Sequence, residues 1–401
     1  MNHKDIASCE VVDDYTVKYT AKKPYFKHLS MLGELFIVPR HLYSEGDFNQ
    51  SPYNRKPVGS GPYVFESWDT GIQLTLKRNE NYWGKKPHIL KRIVRFITDS
   101  NAAFQVLERQ ELDSMGLSPE FWVNRASTPE FAAKFNKFKY YSSYYSYIGW
   151  NMRHPQFKDK MVRRALTMLL DRKEILAKVY YGLGKEVVSD FFIESPEYDS
   201  SIQPWPYDPQ QAKKLLDVAG WVDSKGAGVR EKDGVPFRFE MLIATGAPED
   251  EILATVYQEA LRRAGIQMTI RSLEWATFLE RVDSRNFDAV RLAWTQPYKD
   301  GDPYQVWHSS QMENGGSNFV GFSNPEADKI MEEARLEFDE QKRIQMYHRF
   351  DHILHDEQPY TFLFCIQALQ AVNKRFHGIR VYRTGLDARQ WWVPRNLQRY
   401  H

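Results

Sequence analysis

The stretch FRFEMLIATGAPEDEILATVYQEALRRAGIQMTIRSLEWATFLERVDSRNFDAVRLAW, residues 237–294, decides the fold class of this chain. Apolar residues alternate in three short segments and recur at helical spacing in the two segments between them. This pattern predicts a β-α-β-α-β unit with strands over Phe237–Ile243, Ile266–Ile270 and Phe287–Trp294. Such units form parallel sheets covered by helices, and ligands bind beyond the carboxyl ends of the strands. We therefore expect a site in the loop Thr295–Pro303.

Length and charge set the broad class of the protein. The chain has 401 residues, with 54 Lys and Arg against 52 Asp and Glu, which leaves a formal charge of +2. At about 150 residues per domain, a chain of this length would form two or three domains and could bury a sizeable core. A charge so close to zero gives no overall attraction to nucleic acid or anionic lipid, so any charge selectivity must be local. The 23 Tyr, 24 Phe and 11 Trp favour an aromatic-lined cleft in addition to core packing.

Several local features exclude other classes. The longest nearly uncharged run, Tyr360–Val372, is shorter than the roughly 20 apolar residues that cross a bilayer. The first residues resemble no targeting signal. Two cysteines, Cys9 and Cys365, cannot form a disulfide framework, and whether they pair is open. The turn Gly59–Pro62 has two glycines, but no Lys-Ser or Lys-Thr pair follows, so it is not a phosphate loop.

A set of motifs in fixed order resembles one known family. Its members here are Pro57-Val58-Gly59-Ser60-Gly61-Pro62-Tyr63-Val64-Phe65, Arg78-Asn79-Glu80-Asn81-Tyr82-Trp83-Gly84, Phe157-Lys158-Asp159-Lys160-Met161-Val162-Arg163-Arg164-Ala165-Leu166, Tyr207-Asp208-Pro209, Trp307-His308-Ser309-Ser310 and Ser317-Asn318-Phe319-Val320-Gly321-Phe322. Together they are similar to the family 5 extracellular solute-binding proteins, the peptide-, dipeptide- and nickel-binding receptors of ABC importers. The resemblance covers essentially the whole chain.

The resemblance implies an α/β fold of the type II periplasmic-binding-protein class, a two-lobed clamshell with mixed sheets. Lobe one would comprise residues 1–145, with 370–401 returning to it, and lobe two residues 146–369. The chain would cross between lobes twice, near 144–150 and near 360–368. Family members usually carry roughly 100 to 200 residues before the point where this sequence begins, so lobe one would be incomplete. By resemblance alone, the protein would be periplasmic or extracytoplasmic.

The resemblance also suggests which residues meet the ligand. In the family, an aspartate three residues after the tryptophan of the Phe-Asp-x-x-Arg-x-x-Trp strand binds the ligand's ammonium group. Here that position is Pro297, so Asp302 or Asp300 is expected to replace it. An ammonium group buried without a carboxylate would cost several kcal/mol, which is why an acid is needed. The alternative is that Asp302 only caps a turn.

Three further residues match family positions that line the cleft. Trp275 and Trp294 would offer stackable apolar surface to peptide side chains, or would simply pack in the core. Arg291 would bind a ligand carboxylate through two hydrogen bonds, or would form an ion pair with Asp288 as part of the scaffold.

The expected function is non-catalytic capture of oligopeptides in an interlobe cleft and their delivery to the permease subunits of an ABC importer. One alternative is an oligosaccharide or another small solute on the same fold. A second alternative is a hydrolase such as a glycosidase, suggested by tryptophans near Asp300 and Asp302. We expect a monomer without cofactor, metal or nucleic acid. The histidines His348, His352 and His355 lie on one helix face but lack the metalloprotease pattern.

Overall fold

A computed structural model describes residues 5–313 and 315–399. Its strands are β1 (Ile6–Asp13), β2 (Thr16–Ala21), β3 (Tyr63–Asp69), β4 (Gln73–Arg78), β5 (Lys91–Arg95), β6 (Ser114–Gly116), β7 (Phe135–Tyr141), β8 (Tyr144–Trp150), β9 (Gly184–Glu186), β10 (Glu231–Lys232), β11 (Val235–Pro236), β12 (Arg238–Ala244), β13 (Gln267–Leu273), β14 (Ala289–Thr295), β15 (Tyr360–Phe362), β16 (Phe364–Asn373), β17 (Val381–Tyr382) and β18 (Gly385–Leu386). Its α-helices are α1 (His28–Gly33), α2 (Arg40–Tyr43), α3 (Ser100–Glu108), α4 (Pro129–Lys134), α5 (Pro155–Lys158), α6 (Lys160–Met168), α7 (Arg172–Lys178), α8 (Pro209–Val218), α9 (Pro248–Arg263), α10 (Trp275–Asp283), α11 (Tyr304–Trp307), α12 (Pro325–Leu336) and α13 (Glu340–Glu357).

The chain forms two compact units. One unit, which we call the central unit, contains the chain up to Leu32 and Ser143–Ile366. The other, the flanking unit, contains Gly33–Ser142 and the chain from Gln367 onward. The predicted boundaries at 145/146 and 369/370 compare with 142/143 and 366/367 in the structure.

The described residues up to Leu32 differ from the prediction, which assigns them to lobe one. They group with the central unit, so the chain passes between the two units at three points where the prediction has two. The physical reason is a set of long-range contacts. The backbone N–H of Phe26 donates to the carbonyl of Arg335 at 3.0 Å, and the Tyr25 hydroxyl donates to Asp302 at 2.6 Å.

The central unit is built on a mixed five-stranded sheet with the strand order β13-β12-β14-β8-β15. Strands β13, β12 and β14 run parallel, and β8 pairs antiparallel with both β14 and β15. The helices α9 and α10 connect the three parallel strands, so the β-α-β-α-β prediction for residues 237–294 is confirmed. The apolar run at the end of β12 is buried on both faces, whereas β13 at the edge of the sheet alternates between buried or half-buried and exposed positions over Gln267–Arg271.

Aromatic side chains fill the core beneath this sheet. Trp150, Phe157, Phe237 and Tyr257 are all fully buried. Trp150 lies 5.3 Å from Phe157 between ring centroids, and the Tyr257 hydroxyl donates to the carbonyl of Leu166 at 2.8 Å. The dense aromatic packing explains much of the high ring count, since each buried ring removes a large apolar area from water.

Aspartates cap the first turns of several helices. Asp99, Asp159 and Asp208 accept hydrogen bonds from backbone N–H groups in the first turns of α3, α6 and α8. Pro209 occupies the first position of α8, where its missing N–H is not needed. These caps fix where the helices enter the core and thereby set the positions of the loops between them.

The flanking unit contains two small sheets and a C-terminal hairpin. The sheets have the strand orders β6-β16-β7 and β3-β4-β5, and β17 pairs with β18. The strands β3 and β4 form a hairpin with Gly71 in its turn at φ 76°. Cys9 is exposed, Cys365 is buried, and no disulfide joins them. Within residues 5–313 and 315–399, no helix combines the length and the apolar character needed to cross a membrane.

Candidate functional site

The three parallel strands of the central unit end at one edge of the sheet. Ala244, the last residue of β12, pairs in register with Leu273, the last residue of β13. Strand β14 runs parallel to them and ends at Thr295. The segments that follow, 245–247, 274 and 296–303, therefore gather at this edge, which we call the carboxyl edge. Of the site residues predicted from the sequence, Asp300 and Asp302 lie on this edge, Trp275 directly follows it, and Arg291 and Trp294 lie on β14, which leads to it.

Trp294 lies near the end of β14 and is held between other aromatic rings. Its ring is stacked on Phe319 at a centroid distance of 5.6 Å and an angle of 11°. Tyr147 lies nearly parallel to it on the neighbouring strand, at 6.5 Å. The indole N–H donates to the Tyr360 hydroxyl at 3.2 Å. The Trp294 ring is half-buried, so its neighbours hold it in one orientation while part of its apolar surface stays accessible.

Trp275 is the more exposed of the two predicted tryptophans. It begins α10, directly after Glu274, and 51% of its surface is exposed. Its ring stacks on Phe278, one helical turn later, at 5.6 Å and 13°. The Phe278 side chain is fully buried and so supports one face of the indole. Trp275 thus combines a fixed orientation with accessible apolar surface.

Arg291 points to the opposite face of the sheet from Trp294, because neighbouring positions of a strand alternate. It is 7% exposed, and its Nη2 atom lies 2.7 Å from Asp250 Oδ1. Its Nη1 atom donates to the carbonyl of Leu292 at 2.8 Å. The predicted alternative of an ion pair with Asp288 is wrong, because Asp288 instead accepts from the backbone N–H of Glu240 at 2.8 Å. Arg291 therefore reaches the carboxyl edge as a buried, already neutralised cation.

Asp300 stands in a strained loop conformation, with φ at 57°. Its backbone N–H donates to Glu197 Oε1 at 2.8 Å, and its carboxylate accepts from Arg343 Nη2 at 2.9 Å. The next residue must be small, since a Cβ on Gly301 would lie 2.8 Å from the Phe191 ring. Left-handed backbone costs a non-glycine residue on the order of 1–3 kcal/mol, so these contacts hold the loop in place.

Asp302 is enclosed by polar partners on several sides. Its side chain is 10% exposed and forms an ion pair with Arg335, with Nη2 to Oδ2 at 2.8 Å and Nε to Oδ2 at 3.0 Å. The Tyr25 hydroxyl and the backbone N–H of Tyr304 donate to the same carboxylate at 2.6 and 3.2 Å. Asp302 thus accepts from the first residue of α11, as expected of a turn cap, and its charge is also neutralised by Arg335. Neither Asp300 nor Asp302 is a carboxylate without a cationic partner.

Sequence reasoning missed Asp190, which lies beneath the carboxyl edge. Its side chain is 2% exposed and accepts from the Tyr145 hydroxyl at 2.6 Å and from Gln296 Nε2 at 3.0 Å. Burial raises the pKa of Asp190 to about 6. The signal was present in the sequence, because Asp190 interrupts the apolar run 187–193 and a buried acid must find donors.

No cluster of three or more His, Cys, Asp or Glu residues with suitable geometry occurs within residues 5–313 and 315–399. The histidine face of α13 serves other contacts. His348 Nε2 lies 3.0 Å from the carbonyl of Pro196, His352 lies 3.2 Å from Asp199, and His355 stacks on Trp205 at 5.3 Å.

Comparison with known proteins places the chain in a family. Residues 1–316 match the model of the bacterial extracellular solute-binding proteins, family 5 middle region. The oligopeptide-binding protein AppA of Bacillus subtilis (strain 168) is 31% identical over 407 residues, which cover 97% of this chain and 73% of AppA. Di/tripeptide-binding protein 1 of Pseudomonas aeruginosa (strain UCBPP-PA14) is 27% identical over 403 residues, covering 96% of this chain and 71% of the relative.

Solved structures agree with this assignment. AppA from Bacillus subtilis in complex with a nonapeptide superimposes with a TM-score of 0.85 at 28% identity, covering 98% of this chain and 79% of that one. NikZ from Campylobacter jejuni in complex with Ni(L-His) gives 0.83 at 25% identity, covering 97% and 79%. These relatives confirm the predicted two-lobed α/β fold class and a binding protein instead of an enzyme, so the hydrolase alternative falls away. The chain belongs to the bacterial extracellular solute-binding proteins of family 5.

Proposed function

We propose that this chain is the peptide-binding component of an ABC importer, which holds oligopeptides without altering them and passes them to membrane permease subunits. The observation that carries the proposal is the likeness to AppA, whose solved structure contains a nonapeptide and whose fold matches 98% of this chain. The protein would act outside the cytoplasmic membrane and as a monomer. Light scattering of the purified chain tests the last point against a monomer mass of 47.2 kDa.

The carboxyl edge suggests how a peptide would be held. A receptor for many sequences relies on backbone hydrogen bonds and on surfaces that tolerate different side chains. Trp275 and Trp294 would supply such surfaces, and Arg291 would meet a carboxylate only by sharing its guanidinium with Asp250. An ammonium group would reach Asp302 or Asp300 only in competition with Arg335 or Arg343. The anchoring role of the two aspartates stays a prediction.

The direct test is thermal unfolding of the full chain with mixed di- to nonapeptides, followed by calorimetry with any peptide that stabilises it. A ligand at a hundred times its dissociation constant adds about 2.7 kcal/mol to the free energy of unfolding. The proposal fails if no peptide pool shifts the transition while the chain retains its folded circular-dichroism spectrum.

We expect Trp275→Ala to weaken peptide binding about tenfold while leaving stability nearly unchanged. Half of the ring is exposed, so little core packing is lost, whereas truncating an aromatic contact to a ligand typically costs more than 1 kcal/mol. Tyr207→Ala is the matched control, since its ring is 49% exposed and lies just before α8, in none of the segments that follow the three parallel strands. Equal peptide affinity in both variants, measured by calorimetry, would remove Trp275 from the proposed site.

A second candidate ligand is a metal–amino acid complex, which the likeness to NikZ with its bound Ni(L-His) favours. Such a ligand brings its own nitrogen and oxygen donors, so it needs few protein donors to the metal. Competition between Ni(L-His) and the peptide pool on the same chain separates the two candidates. Oligosaccharides, the remaining alternative, can be added as a third competitor in that experiment.

A further inference from the structure

The positive charge of the chain is concentrated in two segments of the flanking unit. Residues 80–95 and 374–399 together contain twelve Lys and Arg against two Asp and Glu, which gives a formal charge of +10. The whole chain carries only +2, so the rest of it is net acidic. We call the surface formed by these two segments the basic surface. Its charge creates a local attraction that the overall charge conceals.

The two segments lie together although they are far apart in sequence. Val372, Phe376 and Trp391 form a small buried cluster, and Ile89 from the first segment packs against it. The pKa of Asp387 is lowered mainly by its hydrogen bond with Arg389, with a smaller contribution from Arg92 of the first segment. The two segments therefore form one basic surface, because the apolar cluster beneath it holds them together.

Seven of its twelve cations have no Asp or Glu at ion-pair distance among the residues that the structure describes. Some basic residues of the two segments are used internally, as when Lys91 meets Glu66 at 2.9 Å and Arg375 meets Asp113 at 2.6 Å. Others have no Asp or Glu at ion-pair distance in the described part of the chain, and all of them except Arg395 lie outside any 3₁₀ or α-helix. These cations are Lys85, Arg92, Lys374, Arg380, Arg383, Arg395 and Arg399, the last of which donates to Gln110.

Exposed apolar and aromatic side chains stand among these cations. Trp83 is 83% exposed, next to Lys85, and Val381 is 45% exposed, between Arg380 and Arg383. Trp392 and Leu397 are also exposed. Aromatic or aliphatic side chains beside Lys and Arg are typical of surfaces that bind at the boundary between lipid headgroups and acyl chains. There the apolar groups contact the acyl chains while the cations contact the headgroups.

We propose that the basic surface docks this protein on a bilayer that contains anionic phospholipids. Charge complementarity supports the lipid surface, and the exposed Val381 and Leu397 suit a lipid surface better than a nucleic acid, which offers little to aliphatic side chains. The family is described as extracellular solute-binding proteins, and docking on a bilayer would be a function in addition to solute capture. Docking would keep the loaded protein near its permease.

The test is co-sedimentation of the full chain with vesicles of phosphatidylcholine alone and of phosphatidylcholine with about one third phosphatidylglycerol. We expect binding to the anionic vesicles only, and a fall in binding as salt screens the charges. The triple variant Lys85→Gln, Arg380→Gln, Arg383→Gln should lower the partition coefficient roughly 100-fold, since each cation near such a surface contributes about 1 kcal/mol.

A matched control removes the same charge elsewhere. The variant Lys173→Gln, Lys214→Gln, Lys342→Gln changes three exposed lysines of the central unit, and it should bind anionic vesicles like the original chain. If both triple variants lost the same amount of vesicle binding, the net charge of the chain and not the basic surface would explain the binding, and the proposal would be overturned. Binding to neutral vesicles as well, or binding to single-stranded RNA without binding to anionic vesicles, would overturn it too. Trp83→Ala should weaken vesicle binding with no change in its salt dependence.

Discussion

Replacing Arg335 by methionine is expected to lower the free energy of unfolding by about 3 kcal/mol, because it leaves the Asp302 carboxylate almost buried without its cation. The two side chains are 30% and 10% exposed, and three hydrogen-bond distances of 2.8 to 3.2 Å join them. The Arg335 guanidinium also lies 3.6 Å above the Tyr304 ring. Urea unfolding followed by far-ultraviolet circular dichroism measures the loss.

Two further variants determine whether the ion pair itself is responsible. Arg349 forms a pair of similar length with Glu326, at 2.7 Å, but both side chains are more than half exposed. We expect Arg349→Met to cost less than about 1 kcal/mol, since water already screens that pair. Adding Asp302→Asn to Arg335→Met should restore part of the lost stability. Equal costs for Arg335→Met and Arg349→Met, or no recovery in the double variant, would contradict the interpretation.

The same ion pair explains why the sequence predicted the fold better than the site. Period-two and helical spacing are local properties, so residues 237–294 reveal their strands and helices without knowledge of the rest of the chain. The partner of an acid is not local. Asp302 and Arg335 are 33 residues apart, and Asp300 and Arg343 are 43 apart. Only the packing of α12 and α13 beside the carboxyl edge brings these arginines to the loop.

Arg291 is a second residue whose ion-pair partner could not be predicted from the local sequence. Alternation along β14 was enough to place it opposite Trp294, yet the nearest acid in sequence, Asp288, is not its partner. Its partner is Asp250, because Asp250 lies in the first turn of α9, which begins just after the parallel strand β12 ends. The partner was therefore determined by the parallel topology, which the sequence predicted, and by the length of one loop, which it did not.

Asp190→Asn is expected to change how stability depends on pH, because burial raises the pKa of this carboxyl from an ordinary value of 3.8 to about 6. A folded chain that binds the proton more tightly than the unfolded chain is favoured at low pH. Its free energy of unfolding therefore falls as the pH rises from about 4 to about 6 and stays low above that. Two pKa units correspond to about 3 kcal/mol, so the original chain should lose about that much relative to the variant between pH 4 and 7.5.

The difference between chain and variant isolates Asp190, since the other titrating groups are common to both. Asparagine retains the oxygen that accepts from Tyr145 and Gln296, so the local geometry survives. Tyr145→Phe provides the opposing test. It removes a hydroxyl that favours the ionised carboxylate, so the pKa in the folded chain should rise further and the interval of falling stability should extend to higher pH. A stability difference that is the same at pH 4 and 7.5 would show that Asp190 is ionised throughout, and that its two donors outweigh the cost of burying the charge.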